Sequence, residues 1–245
     1  YVSAEFATLW HGKDPFVEVE KLEGKIYREM DGRTTLRFEL EGKGYFLKIH
    51  RGVGWKEIFK NLIQLRLPIL GAENEWKAID KLKKANVDTM TYVAYGKRGK
   101  NPAKQLSFII TEDLAGCISL EDYCLDETAA TVNSQYTQEL LSKLADRIKI
   151  MHQNGINHRD LYICHFLFNP KLAEHEQSLY MIDLHRAQIR KKVPYRWLVK
   201  DMGSVIYSLK EVGISNVQIN KFNNACSQCD VASYWPDVMK RAERL

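Results

Sequence analysis

The chain has 245 residues, of which 45% are hydrophobic and 27% charged, a balance typical of globular proteins. This composition excludes collagen, coiled coil and general disorder as overall classes, and no apolar run approaches the roughly 18 residues that a membrane-spanning helix needs. The five cysteines are scattered and odd in number, which favours a reducing compartment over a disulfide framework.

The net charge of +5 is distributed unevenly. Six Lys or Arg residues against one acid lie in 43–66 and again in 186–201, whereas 112–127 holds six acids and no base. Such segregation fits an anionic ligand on one face, whether nucleic acid, a phosphorylated substrate or an anionic membrane surface. The charge pattern alone does not distinguish binding of such a ligand from ordinary solvation of charged helix faces.

The first third of the chain has the period-two alternation of β-strands. Segments 34–40 and 45–49 alternate on either side of Gly42-Lys43-Gly44, which predicts a hairpin. Apolar residues then recur with helical spacing from Trp55 to Ile63, which predicts an amphipathic helix stopped by Pro68. A second helix and two more strands are predicted next, at 72–85, 90–95 and 106–111.

Beyond Gly116 the pattern changes from strands to helices. Helical periodicity covers three segments, 135–153, 195–212 and 219–226. Strands first and helices afterwards predict an α+β fold of two lobes. We expect an N-lobe of residues 1–114 with an antiparallel sheet and a mainly helical C-lobe of residues 115–245.

The strongest chemical signal follows the long helix. That helix ends near Gly155, and the triplet His158-Arg159-Asp160 comes in the next loop. This arrangement is typical of the catalytic loop of protein-kinase-like enzymes. There the carboxylate, here Asp160, accepts a hydrogen bond from the attacking hydroxyl and aligns it with the γ-phosphorus. We expect His158 and Arg159 to support the loop.

The other residues of a kinase site occur in the expected order. Lys48 lies on a predicted strand, where its ammonium suits the α- and β-phosphates of ATP. Glu75 lies on the following helix and is the expected partner of Lys48, with Glu73 as its rival. Asp183 ends an apolar strand and is the expected Mg²⁺ ligand.

Three further residues complete the predicted kinase site. Glu112 and Leu114 follow the strand at 106–111 and would offer backbone groups to the adenine. Asp201, in a late helix, resembles the buried Asp that supports the catalytic loop. Each candidate also has an ordinary structural explanation, such as a surface lysine or a strand-end cap. Their occurrence together and in order favours the kinase interpretation.

These motifs also carry a family resemblance. The stretch His158–Phe168 (HRDLYICHFLF), with IDLHRAQ at 182–188, closely resembles the lipopolysaccharide core heptose (I) kinases of Gram-negative bacteria, the WaaP/RfaP type. The likeness extends through 6–10, 45–48, 87–90 and 108–114, and so covers most of the chain.

The resemblance implies an activity, a partner and a place in the cell. It implies ATP-dependent phosphorylation of the first heptose of the lipopolysaccharide inner core, at its 4-hydroxyl, on a lipid A-linked acceptor. ATP and Mg²⁺ are the cofactors that it implies. The cysteine usage and the lack of a long apolar run predict a cytoplasmic location, and the lipid-anchored acceptor adds peripheral contact at the inner membrane.

The chain departs from the wider protein-kinase pattern at several points, two of which concern metal binding and regulation. His165 stands five residues after Asp160, where most kinases place an Asn on a second Mg²⁺. Because Mg²⁺ prefers oxygen ligands, we favour a hydrogen bond of His165 within the loop over metal ligation. Only 17 residues separate Asp183 from Asp201, which leaves no room for a phosphorylated activation loop.

Two basic segments are candidates for binding the acceptor. We place five basic residues on the acceptor side of the site, where they would bind phosphates and carboxylates of the inner core: Arg186, Arg190, Lys191, Lys192 and Arg196. The apolar stripe of the helix from Trp55 is flanked by Lys56, Lys60 and Arg66. We expect this stripe to pack on the sheet, and contact with an anionic membrane is the alternative.

The remaining motifs predict less. The pair Cys226 and Cys229 has no second pair to complete a zinc site, so we expect one buried helix face. No RNA-binding module accompanies the basic and aromatic residues, so nucleic acid is not expected as a partner. Two alternatives to the sugar kinase are a protein kinase acting on Tyr or Ser and an inactive kinase-like binding module.

Overall fold

The computed structural model describes residues 1–30, 32–63, 68–126, 134–226 and 233–245. It divides into two compact units, the first of Tyr1–Ile79 and Met90–Ala115, the second of Asp80–Thr89 and Gly116–Leu245. Strands dominate the first unit and helices the second, so the predicted α+β class is confirmed. The first unit ends at Ala115, next to the predicted N-lobe boundary, and residues 80–89 join the second unit rather than the first.

The first unit is built on a five-stranded antiparallel sheet of order β1-β2-β3-β5-β4. Its strands are β1 (Lys25–Met30), β2 (Arg33–Leu40), β3 (Lys43–Arg51), β4 (Tyr92–Arg98) and β5 (Leu106–Glu112). Its helices are α1 (Ala4–Leu9), α2 (Pro15–Glu18), α3 (Gly54–Ile63) and the first half of α4 (Glu73–Lys84).

Alternation along β3 sends its side chains to opposite faces of the sheet. Tyr45, Leu47 and Ile49 are buried in a core that includes Phe6 of α1. Lys48 lies between two of them in sequence and therefore points to the other face. One strand thus supplies apolar groups to the core and a cation to the opposite side of the sheet.

The second unit consists of helices and short strand pairs. Its helices are α5 (Leu120–Leu125), α6 (Gln135–Gln153), α7 (Tyr195–Glu211), α8 (Asn216–Cys226) and α9 (Trp235–Ala242). Its strands are β6 (Ile118–Ser119), β7 (Ile156–Asn157), β8 (Phe166–Phe168), β9 (Tyr180–Met181) and β10 (Gln188–Ile189). β7 pairs with β10, and β8 lies between β6 and β9. Among the described helices, none is both long and apolar enough to cross a bilayer.

Helix α6 has a defined beginning and end. The Ser134 hydroxyl accepts a hydrogen bond from the N–H of Thr137, at 3.1 Å, and caps the first turn. Apolar residues one turn apart are buried along one face, including Leu144, Ile148 and Met151. The helix stops before Gly155, whose φ of +72° suits glycine. A Cβ at Gly155 would overlap the carbonyl oxygen of Arg190, so β7 approaches the β10 segment closely.

The predicted elements agree with the observed ones, with one correction. Helices and strands occur where periodicity predicted them. The helices α1, α2, α5 and α9 and the strands β1, β6, β8 and β10 were not predicted. The stripe of α3 was expected to pack on the sheet, and this is wrong, because only Ile58 of the stripe is buried. The other four side chains are 48% to 82% exposed: Trp55, Phe59, Leu62 and Ile63. Residues Arg66 and Cys229 lie outside the described residues.

We expect Gly155→Ala to destabilise the protein more than Gly213→Ala does. Both glycines have positive φ, but nothing lies within 4 Å of a Cβ added at Gly213. Gly213→Ala should therefore cost only the backbone strain, about 1–2 kcal/mol. Gly155→Ala adds overpacking against Arg190 and should cost about 2–5 kcal/mol. Urea unfolding followed by circular dichroism measures both, and equal losses would contradict the close approach.

Candidate active site

The His-Arg-Asp loop follows β7 and contains a residue with strained backbone. Arg159 has φ of +78°, a conformation that costs a non-glycine residue about 1–3 kcal/mol unless its surroundings hold it. The buried Asp201 carboxylate of α7 accepts the backbone N–H groups of His158 and Arg159, both at 2.8 Å. His152, near the end of α6, lies 3.2 Å from the same carboxylate. The structure thus brings together His158, Arg159 and Asp201, the three residues that were predicted to support the loop.

The His158 side chain joins the loop to the segment before Asp183. Its Nε2 donates a hydrogen bond to the carbonyl oxygen of Ile182 at 2.9 Å. Burial lowers the pKa of His158, and the nearby His165 lowers it further, so the ring is neutral at pH 7. The two imidazole rings stack with 5.5 Å between their centroids.

The Asp160 carboxylate is held by two cations. Arg186 Nη1 donates to both carboxylate oxygens, at 2.8 and 2.7 Å, and Lys200 Nζ of α7 lies 3.4 Å from Oδ1. Burial by itself would raise the pKa of Asp160, but the charges of Arg186 and Lys200 and the hydrogen bond from Arg186 hold it below its usual value. Asp160 is therefore ionised throughout the neutral pH range.

Asp183 lies two residues beyond the end of β9, near the position predicted for a ligand-binding carboxylate. Its backbone is left-handed, with φ of +57° and ψ of +48°. Its Oδ1 lies 2.7 Å from His185 Nδ1, and its Oδ2 lies 3.7 Å from His165 Nε2. The carboxylate therefore lies between two imidazoles.

His165 makes the hydrogen bond within the loop that the sequence favoured. Its Nδ1 lies 2.8 Å from the backbone oxygen of Asp160, so this nitrogen carries the hydrogen. The opposite nitrogen faces Asp183. His165 thus connects the two carboxylate-bearing segments of the second unit.

The donor set around Asp183 fits one magnesium ion better than two. In the described portion of the chain, no group of three or more His, Cys, Asp or Glu side chains is arranged to hold a metal. Mg²⁺ needs only one or two carboxylates when nucleotide phosphates and waters complete its octahedron, and Asp183 can supply one. His165, at the position where most kinases bind a second ion, offers nitrogen instead of oxygen.

In the first unit, Lys48 and Glu75 form a sheltered ion pair. Lys48 Nζ lies 2.7 Å from Glu75 Oε1, and the Glu75 side chain is fully buried. The rival Glu73 instead pairs with Lys77 and Lys97, at 2.8 and 2.6 Å, on the surface. Strand alternation explains why Lys48 is available for this pair, because it directs Lys48 to the face of the sheet opposite the aromatic core.

The predicted adenine-binding residues lie at the end of β5. Glu112 is its last residue, and its backbone N–H donates to the carbonyl oxygen of Thr91 at 2.8 Å. An adenine would therefore have to use other backbone groups of this segment. Leu114 follows two residues later, beyond the strand.

The predicted acceptor-binding residues separate into two groups. Arg186 binds Asp160, and Arg190 donates to the side chains of Asn157 and Gln188. The remaining three cations are exposed: Lys191, Lys192 and Arg196. The first two guanidinium groups are thus engaged inside the second unit, whereas the last three cations are available at its surface.

Two residues of the site were not predicted from the sequence. Lys200 precedes Asp201 on α7, and helix geometry alone could have indicated that it lies near the loop that Asp201 holds. His185 follows Asp183 by two residues, a spacing that allows its imidazole to reach the carboxylate. His185 lies within the IDLHRAQ stretch, but the sequence assigned no role to either residue.

Comparison with known proteins decides the family. The model of the lipopolysaccharide kinase (Kdo/WaaP) family matches residues 17–225. The chain belongs to this family. Its members are kinases, so the predicted phosphotransferase class is confirmed.

Individual relatives agree over most of the chain. The lipopolysaccharide core heptose(I) kinase WaaP of Escherichia coli is 50% identical over 242 residues, which are 98% of this chain and 90% of that protein. The WaaP of Pseudomonas aeruginosa is 48% identical over 212 residues, 86% and 79% of the two chains.

A solved structure supports the fold assignment. The structure described as WaaP in complex with acyl carrier protein matches with a TM-score of 0.84 and 38% identity. The match covers 100% of this chain and 96% of that one. The predicted protein-kinase-like fold class is thereby confirmed.

We expect Lys48→Met to lower the free energy of unfolding by about 3–5 kcal/mol, because it leaves the buried Glu75 carboxylate without its ammonium partner. The double variant Lys48→Met/Glu75→Leu should regain most of this loss, since it removes both charges. Lys97→Met, which breaks an exposed pair with Glu73, is the control and should cost less than about 1 kcal/mol. Urea unfolding measures all three, and a double variant no better than Lys48→Met would contradict the coupling.

Proposed function

We propose that this protein is an ATP-dependent kinase that phosphorylates the 4-hydroxyl of the first heptose in the lipopolysaccharide inner core. The names of the relatives, at about half-identity over nearly the whole chain, support the sugar acceptor. The observation that carries the proposal is the state of the Asp160 carboxylate. It is ionised, partly exposed and oriented by Arg186, on a loop held by Asp201.

Asp160 would act on the acceptor hydroxyl. Its carboxylate can accept the hydroxyl hydrogen and direct the oxygen along the line of attack. In a loose phosphoryl-transfer transition state the proton leaves late, so alignment matters more than the strength of the base. A carboxylate of lowered pKa suits this role, because it remains an acceptor at every physiological pH.

The remaining catalytic groups would bind the nucleotide. Lys48 would contact the α- and β-phosphates, and its ion pair with Glu75 fixes the direction of the ammonium group. Asp183 would hold a magnesium ion on the phosphates, and that ion would offset charge on the transferred group. Backbone groups near Glu112 and Leu114 would bind the adenine.

The acceptor is a lipid A-linked, heptosylated inner core, which is an anionic saccharide. We assign its binding to the exposed cations Lys191, Lys192 and Arg196, since cations on flexible side chains suit an anionic saccharide. Arg190 is less suited, because Asn157 and Gln188 already bind its guanidinium.

Asp160→Asn should reduce kcat by about 10²–10⁴ and leave ATP binding nearly unchanged, because the lost group acts on the acceptor. Phosphate transfer is measured with γ-labelled ATP and heptosylated lipopolysaccharide that lacks core phosphate. The control is Asp146→Asn, which changes an exposed carboxylate of α6 and should keep wild-type turnover. Wild-type turnover by a folded Asp160→Asn protein would contradict the assignment.

The same assay separates the alternatives. Labelling of Tyr or Ser peptides in place of lipopolysaccharide would indicate a protein kinase. ATP binding without any turnover by the wild-type protein would indicate a binding module. Fragmentation mass spectrometry of the product locates the phosphate, and a position other than O4 would correct the acceptor hydroxyl alone.

We also propose that the protein works at the cytoplasmic face of the inner membrane and contacts it through α3. The exposed side chains of this helix include Trp55 and Phe59, whose rings lie 5.8 Å apart, and Lys56 adjoins them. Aromatic groups with neighbouring lysines suit an anionic lipid interface. A lipid-anchored acceptor makes such contact useful, because enzyme and substrate then share one surface.

A variant Trp55→Ser/Phe59→Ser should bind vesicles of phosphatidylglycerol and phosphatidylcholine at least about tenfold more weakly than wild type, since it removes two large apolar groups. Val217→Ser, on α8, is the control, because Val217 is 66% exposed on another helix. Flotation with vesicles measures the partition. Unchanged vesicle binding would reject the membrane contact.

A further inference from the structure

The carboxylate of Asp160 meets two cations that come from outside its loop. Arg186 ends the short helical turn Leu184–Arg186, and Lys200 lies in α7. We propose that Arg186 and Lys200 are positioning residues, which hold the Asp160 carboxylate in the orientation that the acceptor hydroxyl needs and more than offset its negative charge. The proposal rests on the proposed kinase function and changes the role of Arg186 from binding the acceptor to orienting the catalytic group.

The hydrogen bonds determine which way the carboxylate faces. The final torsion of an aspartate is broad, so an unrestrained carboxylate rotates. Arg186 Nη1 bridges both oxygens, at 2.8 and 2.7 Å, which sets the plane of the group. Lys200 Nζ adds a third contact, at 3.4 Å from Oδ1.

The same contacts identify the oxygen that remains for substrate. A carboxylate has about four lone-pair sites. Two contacts fall on Oδ1 and one on Oδ2, so Oδ2 is the less engaged oxygen. The acceptor hydroxyl would therefore donate to Oδ2 of Asp160.

The two cations also change the local charge. A lone carboxylate would repel the anionic γ-phosphoryl group that the hydroxyl must attack. Asp160 with Arg186 and Lys200 has a net charge of +1 instead. The group that aligns the nucleophile therefore does not oppose the approach of the phosphate.

The position of Arg186 joins this role to nucleotide binding. Asp183 immediately precedes the helical turn whose last residue is Arg186. The carboxylate expected to hold magnesium and the guanidinium that orients Asp160 thus belong to one short, turn-forming segment. This location explains why a basic residue three positions after Asp183 serves the catalytic loop.

Steady-state kinetics on the full chain test the proposal. Arg186→Gln should lower kcat about 100-fold, with the KM values for ATP and heptosylated lipopolysaccharide changed less than about threefold, because a misdirected nucleophile slows the step after binding. Arg186→Lys keeps a cation, and its kcat should be about tenfold higher than that of Arg186→Gln. Lys210→Gln, near the far end of α7 from Lys200, is the control and should match wild type.

Two outcomes would overturn the proposal. A raised KM for lipopolysaccharide at unchanged kcat would make Arg186 an acceptor contact, and unchanged kinetics would make it a surface ion pair. Lys200→Gln provides a second variant if Arg186→Gln does not fold, as judged by circular dichroism. It should also lower kcat at nearly constant KM, and unchanged kcat would exclude Lys200.

A measurement without substrate separates this proposal from the proposed function. The carboxyl carbon of Asp160 is followed by NMR in protein labelled with [¹³Cγ]aspartate and assigned with Asp160→Asn. The cations Arg186 and Lys200 and the titratable ring of His158 face it, and His165 binds its backbone oxygen. Loss of a cation removes stabilisation of the carboxylate, so Arg186→Gln should raise the pKa of Asp160. An unchanged pKa would reject the positioning role, whereas failure of wild type to phosphorylate lipopolysaccharide would reject only the proposed substrate.

Discussion

The catalytic loop keeps its shape because the carboxylate of Asp201 is buried beneath it. A buried charge is costly unless hydrogen bonds satisfy it, and here the partners are the backbone N–H groups of His158 and Arg159, with His152 near the end of α6. Hydrogen bonds to a charged group contribute about 1.5–3 kcal/mol each, enough to hold Arg159 in its left-handed conformation. Because the loop is held through its main chain, its side chains remain available for other contacts, including those of Asp160.

In the first unit, the sheet positions a charged side chain while it also fills the apolar core. Strand β3 must fill the core and also present a cation, and alternation lets it do both. Tyr45 and Leu47 pack with the aromatic side chains of α1 and β2, while Lys48 points away and meets Glu75. The fully buried Glu75 carboxylate holds α4 against the sheet, because separating the pair would leave a charge without a partner and away from water.

Much of this arrangement could be predicted from the sequence, since period and order decide which face a residue occupies. The order of Lys48, Glu75, Asp160 and Asp183 predicted a kinase fold, and the family confirms it. The contact of Arg186 with Asp160 could not be predicted, because the two residues are 26 positions apart along largely irregular chain and only packing sets its path. The exposed face of α3 was missed for another reason: an apolar stripe shows which side chains group together, not what covers them.

The hydrogen bonds between the two carboxylate-bearing segments of the second unit have a consequence for entropy. The carbonyl oxygen of Ile182 accepts from His158, the N–H of Ile182 donates to the carbonyl oxygen of His165, and His165 in turn binds the backbone of Asp160. Asp160 and Asp183 therefore move together within one cross-linked body, and their spacing is set when the chain folds. A reaction that needs both groups at once then requires little further ordering when its substrates arrive, so the loss of freedom occurs during folding and is not repeated in each turnover.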